Sequence, residues 1–165
     1  MNRSNIIHRT CFLMGHRDTP ESVFPLLKEA VFFLAREKDV SEFIVGNRGA
    51  FDHMAARAVC SLKESVPAVR LTLLLHQHPF FQDQSLPPGF DGSFYPNLPE
   101  NLPPRFAMVQ ANHCAVDAAD YLITFAKYPG GNALKLLEYA RRRQIQALNL
   151  AETAAFELLF PNAAY

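Results

Sequence analysis

One stretch governs how this chain folds: Phe43-Ile44-Val45-Gly46-Asn47-Arg48-Gly49-Ala50-Phe51-Asp52-His53-Met54-Ala55-Ala56-Arg57-Ala58. It predicts a short buried strand, a turn that contains two glycines, and the start of a helix. Glycine lets a turn bring its backbone close to a ligand, and the free amides at the start of a helix attract anions. The stretch therefore predicts a strand–turn–helix unit whose turn binds an anion.

The rest of the chain repeats this unit. Apolar runs predict strands at 11–14, 42–45, 69–75, 121–125 and 146–150. Apolar residues at helical spacing predict helices at 21–37, 50–64, 105–119 and 133–143. Alternating strands and helices indicate a Rossmann-like, doubly wound, mostly parallel five-stranded sheet with helices on both faces. Residues 92–95 could add a short strand, within a proline-rich excursion at 76–104 of the kind that carries function or covers a site.

Length and composition predict a single domain over residues 1–165, with a loose polar lead-in at 1–8 and a tail at 151–165. The tail carries an apolar stripe that predicts packing on the domain or a subunit contact. A net charge of +0, without interleaved basic and aromatic residues, makes nucleic acid an unlikely partner. Since no apolar run approaches the roughly 20 residues of a membrane span, and the first residues are too polar for a signal peptide, we expect a cytoplasmic protein.

Doubly wound sheets bind ligands beyond the carboxyl ends of their strands. Three loops that follow predicted strands fall at this edge and supply candidate ligand-binding residues. They are Gly15, His16 and Arg17 in the first loop, Gly46, Asn47, Gly49 and Asp52 in the second, and Gly130, Gly131 and Asn132 in the third. We therefore expect a small anionic ligand at this edge.

Each loop has a functional and a purely structural interpretation. Arg17 can bind phosphate through its guanidinium fork and His16 can donate to it or act as an acid or base, or the loop only caps a helix. The amides of residues 47–50 can hold phosphate while Asp52 accepts from sugar hydroxyls, or Asp52 is a first-turn carboxylate favoured by the helix dipole. The third loop is a tight turn or a further phosphate contact.

Metal chemistry has little support in the sequence. His76-Gln77-His78 and His113-Cys114 contain residues able to bind metals, but no third ligand stands at a telling spacing. We therefore predict polar residues at the end of the third strand, no metal site and no cofactor. The odd number of cysteines, without a CxxC spacing, favours reduced thiols.

Four motifs follow one another along the chain. They are the Gly-His-Arg loop, the glycine turn running into FDxxAA, a helix ending in Asn112…Val116-Asp117-Ala118-Ala119-Asp120 before a strand, and a glycine pair before a helix. In this order they resemble the YpsA-like branch of the SLOG superfamily, which also contains the Lonely-guy (LOG) cytokinin-activating enzymes and the DNA-processing Smf proteins.

The resemblance implies a Rossmann-like domain that binds a nucleotide or a nucleotide-derived ligand. It adds Asn112 and Asp117 to the candidate residues, as groups that orient sugar or base, and it implies pairing of subunits through helices. The LOG enzymes imply an alternative, a hydrolase or transferase acting on an N-glycosidic bond, with Glu138 as the catalytic carboxylate, or Asp52 in its place. Glu138 stands one residue beyond the LOG glutamate, and Ala133-Leu134 replaces the Gly-Thr of the LOG motif PGGxGTxxE. Single-stranded DNA binding, by analogy with the Smf proteins, is the least expected outcome.

Overall fold

The sheet of the computed structural model, which describes residues 7–78 and 85–152, is built from parallel strands. They are β1 (Arg9–Gly15), β2 (Val40–Val45), β3 (Arg70–Leu74), β4 (Gly92–Phe94), β5 (Tyr121–Phe125) and β6 (Gln146–Asn149). The predicted doubly wound α/β fold is confirmed. The sheet has six strands instead of five, because the suggested short strand forms and pairs with β3 at one edge.

Four helices connect the strands of the described region: α1 (Phe24–Glu37), α2 (Ala50–Ser65), α3 (Pro104–Asp117) and α4 (Asn132–Arg142). A single 3-10 turn, Glu21–Val23, precedes α1. Proline lacks an amide hydrogen and is tolerated in the first helical turn, so α1 starts next to Pro25 rather than at residue 21. None of these helices has both the length and the apolar character that a membrane span requires.

Two apolar layers flank the sheet, as the alternation of side chains along β1 shows. Cys11 and Leu13 join the core that α1 and α2 cover. Phe12 lies on the other face, in the core beneath α3 and α4. Because both faces are buried, the strand is apolar at every central position instead of alternating with polar residues.

The order of the strands locates the ligand-binding edge. From one end of the sheet to the other the order is β4-β3-β2-β1-β5-β6. The chain therefore winds outward from β1 to β4 and then returns to β5 on the opposite side of β1. Leu13 of β1 is in register with Val45 of β2 and with Ile123 of β5. The carboxyl ends of these central strands form the crevice in which such sheets bind ligands.

The side chain of Asn149, the last residue of β6, lies at this edge and holds the chain that follows β5. It is 1% exposed. Its Oδ1 accepts from the Ala126 amide at 2.9 Å, and its Nδ2 donates to the Ala126 carbonyl at 2.9 Å. Oδ1 also accepts from the Ala151 amide at 3.1 Å. The side chain thus continues the pairing of β5 and β6 beyond the last strand residues.

Replacing Asn149 by leucine, which has a similar volume but no polar atoms, is expected to destabilise the fold. The loss should be about 1–3 kcal/mol for each buried Ala126 group left without a partner. Urea unfolding followed by circular dichroism measures it. Gln146→Leu, at the exposed start of the same strand, is the control and should change the free energy of unfolding by less than about 0.5 kcal/mol. Equal stability of Asn149→Leu and the unchanged chain would contradict this role.

The predicted tail stripe and most of the lead-in, residues 153–165 and 1–6, lie outside the described residues, as do residues 79–84 of the long excursion. The predictions for these segments, and the predicted pairing of subunits, remain predictions.

Candidate functional site

A cavity of about 400 Å³ opens at the carboxyl ends of β1, β2 and β3, beside the starts of α2 and α4 and one side of α3. We call it the carboxyl-edge cavity. Nine of the predicted ligand-binding residues line it: Gly15, His16, Arg17, Gly46, Asn47, Gly49, Asp52, Asn112 and Asn132. Four side chains that were not predicted to bind the ligand line it as well: Arg48, His76, Met108 and Val109.

The first and second loops are joined directly. The Ala50 amide donates to the Arg17 carbonyl at 2.9 Å. A Cβ atom at Gly49 would lie 2.6 Å from the Cα of Arg17, so only glycine allows this approach. Gly49 is also the N-cap of α2 and provides no side-chain cap for the helix. The contact therefore places the exposed Arg17 side chain beside the start of α2, which has no side-chain cap and where the dipole favours anions.

Asp52 stabilises the glycine turn by accepting a hydrogen bond from the backbone of the turn. Its Oδ2 accepts from the Arg48 amide at 3.0 Å, and a Cβ at Gly46 would lie 2.9 Å from the same oxygen. Burial raises the pKa of Asp52. The hydrogen bond from the Arg48 amide and the charges of His53, Arg48 and Arg17 lower this pKa, but they offset the effect of burial only in part. Asp52 thus belongs to the turn as well as to the cavity wall.

Two of the four amides predicted to hold phosphate are already used within the protein. Arg48 donates its amide to Asp52, and Ala50 donates its amide to Arg17. In the described part of the chain, the amides of Asn47 and Gly49 have no such partner. The turn therefore offers two backbone donors to a ligand.

His16 links the first loop to the loop after β5. Its Nε2 accepts from the Lys127 amide at 2.9 Å, which requires an unprotonated Nε2. The ring of His16 contacts the ring of Phe125 edge-on, with centroids 5.9 Å apart, and the ring of Tyr128 at a tilt, with centroids 4.5 Å apart. Burial lowers the pKa of His16, against the opposing effect of Asp18. His16 is thus held as a neutral imidazole whose Nε2 is occupied.

Arg48 and His76 meet across the mouth of the cavity. The Arg48 guanidinium contacts Nε2 of His76. Burial, followed by the Arg48 charge, lowers the pKa of His76. His76 follows β3, and its place at the carboxyl edge is the signal that would have found it, because residues directly after parallel strands gather there.

The structure does not bring Asp117 or Glu138 to the cavity. Asp117 ends α3 at the amino edge of the sheet, where it accepts from the Tyr139 hydroxyl at 2.9 Å and from Nε of Arg143 at 2.9 Å. Five residues separate it from Asn112, a rotation of about 140° around a helix. Glu138 is exposed on α4 and is not part of the lining.

The third loop reaches the cavity only through Asn132. Gly130 has a φ of 73°, a left-handed conformation that glycine adopts without strain. Gly131 is the N-cap of α4, and its amide donates to the Tyr128 carbonyl at 3.1 Å. The glycine pair therefore shapes the turn that presents Asn132.

In sequence, no protein-family model and no curated protein matches the chain. Several solved structures match its fold. DNA processing protein A (DprA) from Streptococcus pneumoniae has a TM-score of 0.65 and 13% identity, over 95% of this chain and 58% of that chain. DprA from Helicobacter pylori, in a structure that describes its single-stranded DNA binding mode, has a TM-score of 0.60 and 14% identity, over 95% of this chain and 74% of that chain. The molybdenum cofactor carrier protein from Chlamydomonas reinhardtii has a TM-score of 0.59 and 12% identity, over 94% of this chain and 84% of that chain.

These similarities show the Rossmann-like fold that the resemblance seen in the sequence predicts. The chain spans 58% of the length of the S. pneumoniae DprA chain. The expectation that nucleic acid is an unlikely partner is wrong, because the solved structures that share this fold include a DprA that binds single-stranded DNA. Net charge was a poor guide because it averages over the whole surface, whereas Arg17 and Arg48 lie together at one cavity.

Proposed function

We propose that this domain binds a phosphorylated, nucleotide-type ligand in the carboxyl-edge cavity. The observation that carries the proposal is the contact between the Ala50 amide and the Arg17 carbonyl, which joins an arginine to the start of α2, a helix start without a side-chain cap. An arginine fork and a helix start are both suited to phosphate oxygens.

The remaining walls suit the sugar and the base. Asn112 and Asn132 offer amide donors and acceptors, which can bind hydroxyls or the edge of a base. Met108 and Val109 add an apolar surface from α3. A volume of about 400 Å³ lies within the roughly 300–1,000 Å³ typical of small-molecule sites. The division of the walls thus matches a ligand with one charged end and one flat, partly apolar end.

Titration calorimetry with nucleoside monophosphates, and with the corresponding nucleosides, tests the proposal. We expect at least one monophosphate to bind about tenfold tighter than its nucleoside, since hydrogen bonds to charged groups contribute about 1.5–3 kcal/mol. The same ligand should raise the melting temperature, because it binds only the folded state. Absence of binding by every monophosphate, or equal binding of the nucleosides, would refute the proposal.

Single-stranded nucleic acid is a second candidate, favoured by the shared fold with the H. pylori DprA. A strand would place one of its phosphates at Arg17 and the start of α2. Its binding should weaken as salt rises, because each neutralised phosphate releases counterions. Glycosidic-bond cleavage is not part of the proposal, since Glu138 does not line the cavity and Asp52, which does, accepts a hydrogen bond from the Arg48 amide within the glycine turn.

A further inference from the structure

A second cavity, of about 780 Å³, adjoins the carboxyl-edge cavity. His76 lines both of them. The walls of the second cavity come from the segment after β3 and from the loop between β4 and α3, which includes Tyr95 and Asn101. The two cavities therefore meet at the Arg48–His76 contact.

The two cavities differ in charge. Two arginines, Arg17 and Arg48, and one acid, Asp52, line the first. Among the described residues that line the second there is no lysine or arginine, and Glu100 is an acid. A phosphate would meet no lysine or arginine among these described residues and would have a carboxylate close by, so the second cavity suits an uncharged group.

The second cavity has the groups that recognise a nucleobase. The rings of Tyr95 and His78 meet nearly at a right angle, with centroids 5.4 Å apart. Tyr95 is half-buried and lines the second cavity. Side-chain amides of Gln77, Asn97 and Asn101 line the same space. Aromatic faces stack on bases, and amides pair with base edges.

We infer that the second cavity binds the base of a second nucleotide, so that the ligand is a chain of at least two linked nucleotides. The inference rests on the proposed function, because the first nucleotide occupies the carboxyl-edge cavity. The linking phosphate passes the junction at His76, where Arg48 supplies the positive charge. A free dinucleotide and a longer single strand share this chemistry.

The test is titration of the full chain with thymidine monophosphate, phosphorylated dithymidylate and oligothymidylates of four and eight nucleotides, together with the matching adenylates. The dinucleotide should bind about tenfold tighter than the monophosphate, the size of effect that one base stacked on an aromatic ring gives. Affinity that stops rising at two nucleotides identifies a free dinucleotide as the ligand, and affinity that keeps rising identifies a strand.

Tyr95→Ala should remove the advantage of the dinucleotide while leaving monophosphate binding unchanged, which also shows that the variant is folded. Tyr95→Phe should keep the advantage, because the stacking face remains. Tyr139→Ala, the same change at the opposite edge of the sheet, is the matched control and should bind both ligands normally.

Equal affinity of the unchanged chain for monophosphate and dinucleotide would overturn the inference and leave the proposed function standing. So would a Tyr95→Ala variant whose affinities for both ligands fall by the same factor. Failure of the monophosphate and of every longer ligand to bind would instead refute the proposed function itself.

Discussion

Replacing Phe51 by alanine should lower the free energy of unfolding by about 3–5 kcal/mol, the usual cost of removing a buried aromatic ring. Phe51 is 0% exposed, in the first turn of α2. Its ring lies against Gly15 so closely that a Cβ there would be 2.5 Å from the ring. Since a domain of this size has about 5–15 kcal/mol of stability in total, this change removes a large share. Urea unfolding measures it.

Phe106→Ala is the matched control, because that ring is 53% exposed on α3. It should change stability by less than about 0.5 kcal/mol. A double-mutant cycle gives a sharper check. Gly15→Ala alone should cost about 1–3 kcal/mol from overpacking against the ring of Phe51, and much of that cost should vanish when Phe51 is already alanine. Additive costs for the two changes would contradict the close contact.

Replacing Arg17 by alanine should weaken binding of a nucleoside monophosphate about ten- to a hundredfold. A hydrogen bond to a charged group contributes about 1.5–3 kcal/mol, and each 1.4 kcal/mol is a factor of ten in affinity. Stability should hardly change, since the Arg17 side chain is exposed. Titration calorimetry and a thermal melt of the free protein separate the two effects.

Arg36→Ala is the control for charge. It also removes an exposed arginine, but at the end of α1, which lies at the amino edge of the sheet. It should leave the affinity unchanged. Arg17→Lys should bind at an intermediate level, because it keeps the charge but loses the planar fork. If Arg17→Ala binds as well as the unchanged chain, Arg17 does not hold the phosphate.

Much of the fold could be predicted from local pattern. The predicted strand at 121–125 coincides with β5, and the predicted helix at 50–64 ends one residue before α2 does. Strand β4 was only suggested, because three residues that include a glycine give almost no periodic signal. The start of α1 was misplaced, because a 3-10 turn has the same local composition as a helix.

The candidate site could be predicted only in outline. The loops after β1 and β2 were selected correctly as neighbours, since parallel strands end at one edge. Asp117 was selected from its place in a motif, yet it lies at the end of α3 that faces the amino edge. His76 was predicted only as a polar residue at the end of the third strand, because its contact with Arg48 joins residues 28 positions apart, which no local pattern shows.

A parallel α/β sheet, with glycine turns and an arginine at its carboxyl edge, could be predicted from the sequence alone. Those features follow from local patterns of side chains. The contact of Arg17 with α2 at Gly49, the position of His76 where two cavities adjoin, and the distance of Asp117 and Glu138 from both cavities are visible only in the folded chain. These relative positions depend on strand order, register and helix rotation, which are set only when the whole sheet assembles.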